Sequence, residues 1–472
     1  MITARAKAAW FTETGVRLDA SYHLSEGRQA EYKIKQSPNG WKELGDITKR
    51  IFNGGRPKRY YVDDVKRGIP FMGNADMLKA DFTSLKLISK TKTANLSDLW
   101  FEKGWTLLSR SGTYGGTLGK AVYATEDFVG KTGSEHIMRV VPDVDKIPGG
   151  YLYAFLASKY GYGLLTQNTY GSAIQHIEQH HVLDLPVPLL SEAEVKQITQ
   201  WVEQSASFRE EATRLMRKAS EDLMLACELS ELTADEYEYF GFHPGSRPVS
   251  TFTSRKVDAT TLTAFNYSKR IGRLRARVIE NVNTVPLAEC LEGNRFFSTG
   301  SFKRLELDSP TSIELINQSD VFDIRIKGKR LARKYAGSQR LVDYGEVLIA
   351  GVGTLGENEI FCRALFAGEE LRGKLISGEF IRMNTNGTVP PGYLYAWLAS
   401  EYGFRLIRAT QSGTKLCRPI PKLLADVPVP VLSTDKMEEI HQLVVTAHAK
   451  RYEALQLENQ AIQHIESAIA SW

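Results

Sequence analysis

The chain has 472 residues, of which 42% are hydrophobic and 24% charged, and its formal net charge at pH 7 is +5. This composition is typical of a folded globular protein with more than one domain, and it excludes a disordered or collagen-like chain. No apolar run reaches the roughly 20 residues of a membrane span, and the first residues lack the apolar segment of a signal peptide, so we expect a cytoplasmic protein with no membrane partner.

Mixed structure is predicted for the first part of the chain. Short apolar stretches such as Ile69 to Gly73 and Trp105 to Ser109 are bounded by glycine or proline, which is typical of strands. The four cysteines of the whole chain are spaced singly, without any CxxC motif, and are expected to be free thiols in a reducing compartment.

A basic segment with tyrosines, NGGRPKRYY, lies in this first part. Its candidates for contact with DNA are Arg56, Lys58, Arg59 and Tyr60. Lysine and arginine attract phosphate, and arginine can form two hydrogen bonds with guanine. A run of charges is equally often a solvated surface, and the sequence leaves both interpretations open.

A glycine-rich turn, GGTLGKA, resembles a phosphate-binding loop only in outline. The motif requires glycine where Tyr114 stands, and serine or threonine where Ala121 stands. The sequence therefore predicts a turn that carries Lys120, a further candidate for contact with DNA, and no nucleotide site.

The segment HIEQHH suggests zinc, because His176 and His180 are four residues apart. However, Glu178 is not placed as in the HExxH motif. A later copy of the segment has Arg418 and Lys422 at these two positions, an exchange that suits a polyanion site and not a metal site. We therefore predict no metal site, and DNA contact and a solvated loop remain as alternatives.

A long internal repeat organises the chain. Ten of the twelve residues from Gly150 to Gly161 recur from Gly392 to Gly403, and the register continues into PVP segments at Pro186 and Pro428. A period of about 240 residues is too long for a solenoid and indicates a duplicated domain. The aromatic residues of the repeated helix, which is predicted from residue 151 to 160, are assigned to the core because both copies keep them.

Each PVP segment is followed by the pattern of a long helix. Ser191 and Glu194 form a capping-box signature, and the apolar spacing after them is that of a coiled-coil seam that continues to about Leu229. In the second copy Asp435 and Glu438 are the expected capping pair. The Gly- and Pro-rich segment at residues 241–250 is expected to separate the two halves.

A second basic run, RIKGKRLARKYAGSQR, lies at residues 325–340 and holds seven basic residues and no acid. Its candidates for contact with DNA are Lys327, Lys329, Arg330, Arg333 and Lys334. Both basic runs lie where the two copies differ most, but a solvated face remains the alternative here too.

Together these patterns predict a mixed α/β fold with two repeated domains, each followed by a long helix. The predicted boundaries are a first domain at 1–190, a spacer helix and linker at 191–245, a second domain at 246–430 and a C-terminal helix at 431–472.

This arrangement resembles the specificity subunit of type I restriction–modification systems. The likeness rests on GWKELGDI and NGGRP within residues 40–57, GSAIQHI and LDLPVPLLSEAEVKQI within 171–198, SGTKLCRPIPKLLADVPVPVLS at 412–433, and RLDASYH at 17–23. It implies two target recognition domains, each recognising one half of a bipartite sequence in double-stranded DNA. It also implies that the long helices pair as an antiparallel coiled coil and dock two methyltransferase subunits.

The resemblance implies no catalysis by this chain. S-adenosylmethionine is expected on the methyltransferase subunits, and cleavage is expected from a separate motor (restriction) subunit. The family's DNA-contacting polar loop before the PVP strand maps onto two sets of residues, Gly171, Ser172, Gln175 and His176 in the first copy and Gly413, Thr414, Lys415 and Arg418 in the second.

Two alternatives remain. One is a specificity subunit of a type IIB-like system, whose partner fuses methylation and cleavage. The other is a two-domain enzyme, which requires a constellation of carboxylates or histidines repeated in both halves. Only Glu135 with Glu379 and Asp184 with Asp426 recur in the sequence.

Overall fold

The computed structural model describes residues 23–82, 85–167, 169, 171, 174–232, 257–335, 337, 341–356 and 359–472. It confirms the mixed α/β fold with two long helices. The chain divides into two compact units: the first comprises Met1–Glu210 and Glu453–Trp472, and the second comprises Glu211–Tyr452. The predicted linker at residues 241–250 lies outside the described residues.

Short strands and short helices build the first unit around the repeated aromatic segment. Its described strands are β1 (Trp41–Glu43), β2 (Thr48–Asn53), β3 (Tyr61–Val62), β4 (Gly68–Met72), β5 (Lys86–Ser89), β6 (Thr106–Ser109), β7 (Ser111–Gly112), β8 (Ala121–Tyr123), β9 (Thr132–Gly133), β10 (Ile137–Pro142), β11 (Gln175–His176) and β12 (Pro186–Pro188). The larger sheets have the orders β2-β10-β6-β8 and β3-β5-β4-β9, and the smaller ones pair β1 with β12 and β7 with β11. Its helices are α1 (Glu26–Ile34), α2 (Gly149–Ala157), α3 (Lys159–Thr166) and α4 (His180–Leu183).

The second unit repeats this plan with shorter sheets. Its described strands are β13 (Thr284–Pro286), β14 (Ser312–Ile316), β15 (Lys329–Ala332), β16 (Val347–Ala350), β17 (Ala364–Phe366), β18 (Leu375–Ile376), β19 (Phe380–Met383), β20 (Gln411–Ser412), β21 (Arg418–Pro419) and β22 (Pro428–Pro430). Their orders are β17-β16-β19, β15-β14-β18, β13-β22 and β20-β21. Its shorter helices are α6 (Lys269–Asn281), α7 (Pro391–Ala399), α8 (Glu401–Arg408) and α9 (Pro421–Ala425).

The repeated aromatic segment forms two helices in each unit, not the single helix predicted from 151 to 160. Ser158 interrupts the first copy with extended backbone (ψ 162°), and its Oγ accepts the amide hydrogen of Gly161 at 3.1 Å. Ser400 does the same for Gly403 at 3.1 Å. A serine whose side chain caps the following helix interrupts α2 before the apolar periodicity ends.

The aromatic side chains lie in the core, as predicted. Tyr151, Tyr153 and Phe155 are buried, whereas Tyr160 is only half-buried. The hydroxyl of Tyr151 donates to the carbonyl of Pro188 in β12 at 2.8 Å. The buried ring of Tyr151 and the hydrogen bond of its hydroxyl together hold helix α2 against the PVP strand β12.

The first long helix, α5 (Glu192–Ala226), begins as predicted. The amide of Glu194 donates to Ser191 Oγ at 3.4 Å, and the amide of Ser191 donates to Glu194 Oε2 at 3.1 Å, which is the predicted capping box. The helix ends three residues before the expected Leu229, because Glu228 adopts a left-handed backbone conformation (φ 53°) that leaves the helical path.

The second long helix, α10 (Thr434–Ser471), is capped differently from the prediction. Ser433, not Asp435, accepts the amide hydrogen of Lys436, at 3.4 Å. Ser433 stands at the repeat position of Ser191, so the two helices start in the same way.

The two long helices pack together antiparallel. In the first unit the imidazole of His464 lies 3.3 Å from Glu194, and Ser205 donates to the carbonyl of Ala454 at 2.7 Å. In the second unit, Lys436 lies 3.9 Å from Asp222. Early residues of α5 therefore meet late residues of α10, and late residues of α5 meet early ones.

Each unit is completed by a helix segment that belongs to the other copy of the repeat. The core of the first unit includes four apolar side chains from the end of α10, which are Ala461, Ile462, Ile465 and Ile469. The core of the second unit includes Ala219 and Leu223 from the end of α5 and Cys227, the residue that follows it. All four cysteines are buried free thiols, as expected. No helix among the described residues is long and apolar enough to cross a membrane.

Candidate nucleic-acid interface

The basic segment between β2 and β3 is tied to one carboxylate. Arg56 Nε lies 3.2 Å from Glu135 Oε1, and Arg59 Nη2 lies 2.5 Å from Glu135 Oε2. Burial alone would raise the pKa of Glu135, but a backbone hydrogen bond and the charge of Arg59 together lower it below its ordinary value. Two of the four candidates in this segment, Arg56 and Arg59, are therefore paired with Glu135 in the structure.

The other two candidates, Lys58 and Tyr60, form no ion pair with a carboxylate among the residues that the structure describes. Lys58 Nζ lies 5.1 Å from the centre of the Tyr60 ring, and Lys92 Nζ lies 5.9 Å from the same ring. Lys86 Nζ lies 5.5 Å from the ring of the neighbouring Tyr61. A ring face attracts the ammonium groups but leaves their net charge in place, so this surface stays positive.

The hydroxyl of Ser111 contacts two histidines where strand β7 pairs with β11. Ser111 Oγ in β7 lies 2.8 Å from Nδ1 of His136 and 2.8 Å from Nδ1 of His176 in β11. Since a serine has one hydroxyl proton, at least one of these imidazoles carries a proton on Nδ1 and donates it to Oγ. Burial lowers the pKa of His136, which favours its neutral form.

His180 is not part of this cluster. His176 lies in strand β11, whereas His180 begins helix α4, so the four-residue spacing does not correspond to one helix face. Among the described residues, no group of three or more His, Cys, Asp or Glu side chains is placed to hold a metal ion.

Several residues of this site escaped the sequence interpretation. Arg110 forms an ion pair with Glu178, and its Nε donates to the carbonyl of Ile177 at 3.0 Å. Asn74 Nδ2 donates to the carbonyl of Ser111 at 2.5 Å. These residues come from distant parts of the sequence, and only the chain fold brings them together.

The remaining candidates of the first unit lie around this cluster. Gln175 pairs with Gly112 across β7 and β11. Gly171 has a φ of 107°, a conformation that glycine adopts easily. Lys120 is exposed at the end of the glycine-rich turn. Ser172 lies outside the described residues.

The basic run of the second unit is partly neutralised by acids from elsewhere in the chain. Lys329 Nζ lies 2.8 Å from Glu306 Oε1, and Arg330 Nη1 lies 3.2 Å from Asp308 Oδ1. Arg330 also donates to Ser312 Oγ at 2.6 Å. The absence of acids within the run itself concealed these pairs.

The other three candidates for contact with DNA in this run are exposed. They are Lys327, Arg333 and Lys334. Lys334 Nζ lies 5.0 Å from the ring of Tyr335. Arg340, the last basic residue of the run, lies outside the described residues.

The polar loop before the second PVP strand is also exposed. Gly413 turns it with a φ of 107°, the same value as Gly171, and Thr414 and Lys415 follow at its surface. Arg418 begins β21 and is exposed. Among the residues that the structure describes, Arg418 takes part in no ion pair.

Backbone hydrogen bonds show which residues of the two units are equivalent. The amide of Ser134 donates to the carbonyl of Met72 at 3.0 Å, and the amide of Ser377 donates to Ile316 at 3.0 Å. Both bonds extend a parallel strand pair, β4 with β9 and β14 with β18. The segments that differ most in sequence therefore contain the same strand pairing.

One amide side chain has the same task in both units. Two residues beyond β4, Asn74 donates to the carbonyl of Ser111. Two residues beyond β14, Gln318 Nε2 donates to the carbonyl of Val352 at 2.9 Å, and its Oε1 accepts the amide hydrogen of Val352 at 3.2 Å. Ser111 and Val352 are therefore equivalent positions.

The histidines have charged counterparts. The amide of Arg110 donates to the carbonyl of His136 at 3.0 Å, and the amide of Gly351 donates to that of Glu379 at 3.1 Å. Glu379 thus occupies the place of His136, and the expected equivalence with Glu135 is wrong, because the offset between the copies changes by two residues between Ser111 and this strand.

The position of His176 is taken by Arg418. Gly112 faces Gln175 in the first unit, and Gly353 faces Cys417 in the second. Since these pairs are antiparallel, the next residues, Ser111 with His176 and Val352 with Arg418, also correspond. The exchange of His176 for Arg418 agrees with the repeat register in the sequence.

The other carboxylates that recur have a simple structural place. Asp184 follows the last residue of α4, and Asp426 follows the last residue of α9. Both are exposed. They cap short helices next to the PVP strands and are not part of the clusters described above.

No family model matches this chain, and no curated protein matches it. Among the solved structures that resemble it, three each cover 92% of its length. One is the S subunit of a type I restriction–modification system from M. genitalium, with 12% identity, 95% of that chain covered and a TM-score of 0.30. Another is the HsdS subunit from Thermoanaerobacter tengcongensis, with 14% identity, 96% covered and a TM-score of 0.27.

The third is a chain from a structure of type I R-M system assembly and conformational transition, with 12% identity, 98% of that chain covered and a TM-score of 0.29. TM-scores this low carry no argument about the present chain.

Proposed function

We propose that this chain is the DNA-recognition subunit of a type I restriction–modification complex. In this proposal residues 1–190 and 246–430 are its two target recognition domains, and each recognises one half of a bipartite sequence in double-stranded DNA. The supporting observation is that two units with the same strand pairing differ in their side chains at equivalent positions of one cluster.

These differences change hydrogen-bonding chemistry on an unchanged backbone. His136 and His176 in the first unit are replaced by Glu379 and Arg418 in the second. Base edges in the major groove differ in their pattern of donors and acceptors, so different side chains at the same place select different bases. A duplicated enzyme would instead keep its reacting groups in both copies.

The basic surfaces suit the phosphates that flank each half-site. In the first domain, Lys58, Lys86 and Lys92 lie over tyrosine rings and keep their charge. Contacts of this kind fix the position of a protein on DNA without selecting a sequence. Exposed Lys120, Lys327, Arg333, Lys334 and Lys415 are further phosphate candidates on their respective domains.

The paired helices α5 and α10 are the proposed docking site for two methyltransferase subunits, which would bind S-adenosylmethionine and perform the methyl transfer, with a motor subunit joining through the complex. The repeat supports this, because two equivalent surfaces on one chain fit two identical partners.

Leu225, which is 80% exposed on α5, is a suitable position to test this docking site. Substitution of Leu225 by Glu should weaken assembly, measured as the mass of the complex, whereas Gln204→Glu on the same helix gives a charge control.

The central experiment is to map methylated bases in the DNA of cells that carry the complete system. We expect one bipartite motif. Replacing residues 1–185 with those of a related chain should change one half of that motif and leave the other half and the gap unchanged. A change in both halves would contradict the modular proposal, and methylation without sequence preference would contradict DNA recognition itself.

The type IIB-like arrangement stays an alternative at the level of the partner. It predicts that one polypeptide co-purifying with this chain contains both the methyltransferase and the nuclease. Purification of the complex from its host and identification of its subunits separates the two, because the type I arrangement requires a motor subunit as a separate chain.

A further inference from the structure

We propose that the second domain recognises a guanine–cytosine base pair through Arg418 and Glu379. This inference rests on the proposed function and adds to it the identity of a base pair and the side chains that select it.

The two side chains flank two adjacent positions, Gly351 and Val352, from the strands on either side. Cys417 exchanges both backbone hydrogen bonds with Gly353, at 3.2 and 2.7 Å, which places Arg418 opposite Val352. On the other side of the same segment, the carbonyl of Glu379 accepts the amide hydrogen of Gly351 at 3.1 Å.

The first unit shows that these two positions share a face. There, the equivalent side chains, His136 and His176, both reach the hydroxyl of Ser111, and their ring centres are 6.4 Å apart. In the second unit Val352 replaces Ser111 and offers no hydroxyl, so this link between the two flanking side chains is missing.

The spacing fits the major groove. Two steps between neighbouring strands separate the backbones of Arg418 and Glu379 by about 10 Å. The major groove is about 12 Å wide and exposes the edges of all four base pairs. Two long side chains at this separation on one face can meet the two bases of a single pair.

The chemistry of the pair is complementary to guanine and cytosine. Arginine forms two hydrogen bonds with O6 and N7 of guanine, and glutamate accepts from N4 of cytosine. Glu379 is exposed, and its Oε2 lies 3.5 Å from Gln318 Nε2, the same amide that holds Val352. The carboxylate is therefore oriented by the framework that both units share.

Arg418 differs from three other basic residues of its unit that already have a partner. Lys329 and Arg330 have carboxylate partners, and Arg363 lies 3.8 Å from the ring of Phe404. Arg418 and Glu379 are both exposed, on either side of the segment that contains Gly351 and Val352. The negative charge of Glu379 disfavours a phosphate near this face, so a base is the favoured partner of Arg418.

The test is selection of binding sequences from a pool of DNA duplexes with randomised half-sites, using the purified full-length chain. The variants are Arg418→Ala, Arg418→Lys and Glu379→Leu. Arg372→Ala is the matched control, because Arg372 is an exposed arginine of the same unit that pairs with Glu369 at 3.2 Å.

We expect the wild-type motif to contain a G·C pair in one half-site. Each of the three variants should reduce the preference for that pair by about 5- to 150-fold, the range for one bidentate contact with a base, and leave the other half-site unchanged. Arg418→Lys separates base from phosphate recognition, because lysine keeps the charge but loses the planar pair of donors. The control should retain the full motif.

Three results overturn the inference while the proposed function stands. One is a bipartite motif without a G·C pair at any position that Arg418→Ala affects. Another is a uniform loss of affinity for all sequences in Arg418→Ala that Arg418→Lys restores, which assigns Arg418 to phosphate. The third is an unchanged motif in all variants. If the wild-type chain selects no motif, the proposed function itself fails.

Discussion

Glu458 of α10 contacts both Arg209 of α5 and the hydroxyl of Tyr153, in the buried seam of the first unit. Met216 stands at the corresponding repeat position of α5 and packs in an apolar cluster of the second unit. The two units therefore share the backbone of this seam but not its polarity.

Glu458 should make the stability of the protein depend on pH. Burial raises the pKa of Glu458 to about 8, from about 4.3 in an unfolded chain. A raised pKa means that the protonated group favours folding at low pH, and that this contribution is lost as the pH rises through about 8. The free energy of unfolding, measured by urea titration, should fall between about pH 5 and about pH 9 in the wild type, and less so in Glu458→Gln.

Glu203→Gln, at an exposed position of α5, is the control for a lost carboxylate. Equal pH dependence in wild type and Glu458→Gln would show that Arg209 holds the carboxylate ionised throughout, contrary to this prediction.

Gln318 should be more important for stability than its sequence context suggests. In Gln318→Leu, the backbone amide and the carbonyl of Val352 both lose their side-chain hydrogen-bond partner. The free energy of unfolding should fall by about 1–3 kcal/mol. Thermal or urea unfolding measures it, and Gln204→Leu on the exposed face of α5 is the control. A variant as stable as the wild type would mean that water replaces the amide.

The two hydroxyls that anchor the repeated helices should contribute equally. Tyr151 donates to Pro188 at 2.8 Å, and Tyr393 donates to Pro430 at 3.0 Å, in the same geometry. Tyr151→Phe and Tyr393→Phe should each lower the free energy of unfolding by about 1 kcal/mol, since the buried carbonyl loses its donor. A cost in only one unit would show that the repeat does not share this anchor.

The lysines over tyrosine rings should dominate electrostatic binding to DNA. Each phosphate contact that is lost flattens the dependence of log affinity on log salt by about 0.9. Alanine substitution of Lys58, Lys86 and Lys92 together should therefore reduce the slope by more than two. Arg330→Ala should change it little, because Asp308 already neutralises that side chain. Filter binding or fluorescence anisotropy over a salt series with a random duplex measures both slopes, and the opposite order would identify the second basic run as the main phosphate surface.

The sequence predicted the parts of this fold that depend on local pattern. The core position of Tyr151, the extended PVP segments and the capping box of Ser191 all follow from periodicity, proline geometry and side-chain chemistry within a few residues. Local pattern gave wrong predictions at two serines. Ser158 divides the single helix that was predicted, and Ser433 caps α10 in place of Asp435.

The candidate site was less predictable, because its contacts join distant segments. Arg56 and Glu135 meet only through the packing of the sheets, and the amide of Asn74 meets Ser111 in the same way. The equivalence of Glu379 with His136 required the strand register, since a shift of two residues within loops cannot be recognised in a repeat whose upstream sequence has diverged.

The dependence of the first unit on the end of α10 has a consequence for biosynthesis. A ribosome makes the first unit's own sheets long before it makes Ala461, Ile465 and Ile469, and the whole second unit lies between them in the chain. Domains generally fold as they emerge. Here the apolar surface that the end of α10 covers stays exposed on the first unit until the second unit has been translated. We therefore expect chaperones to bind the incompletely synthesised chain.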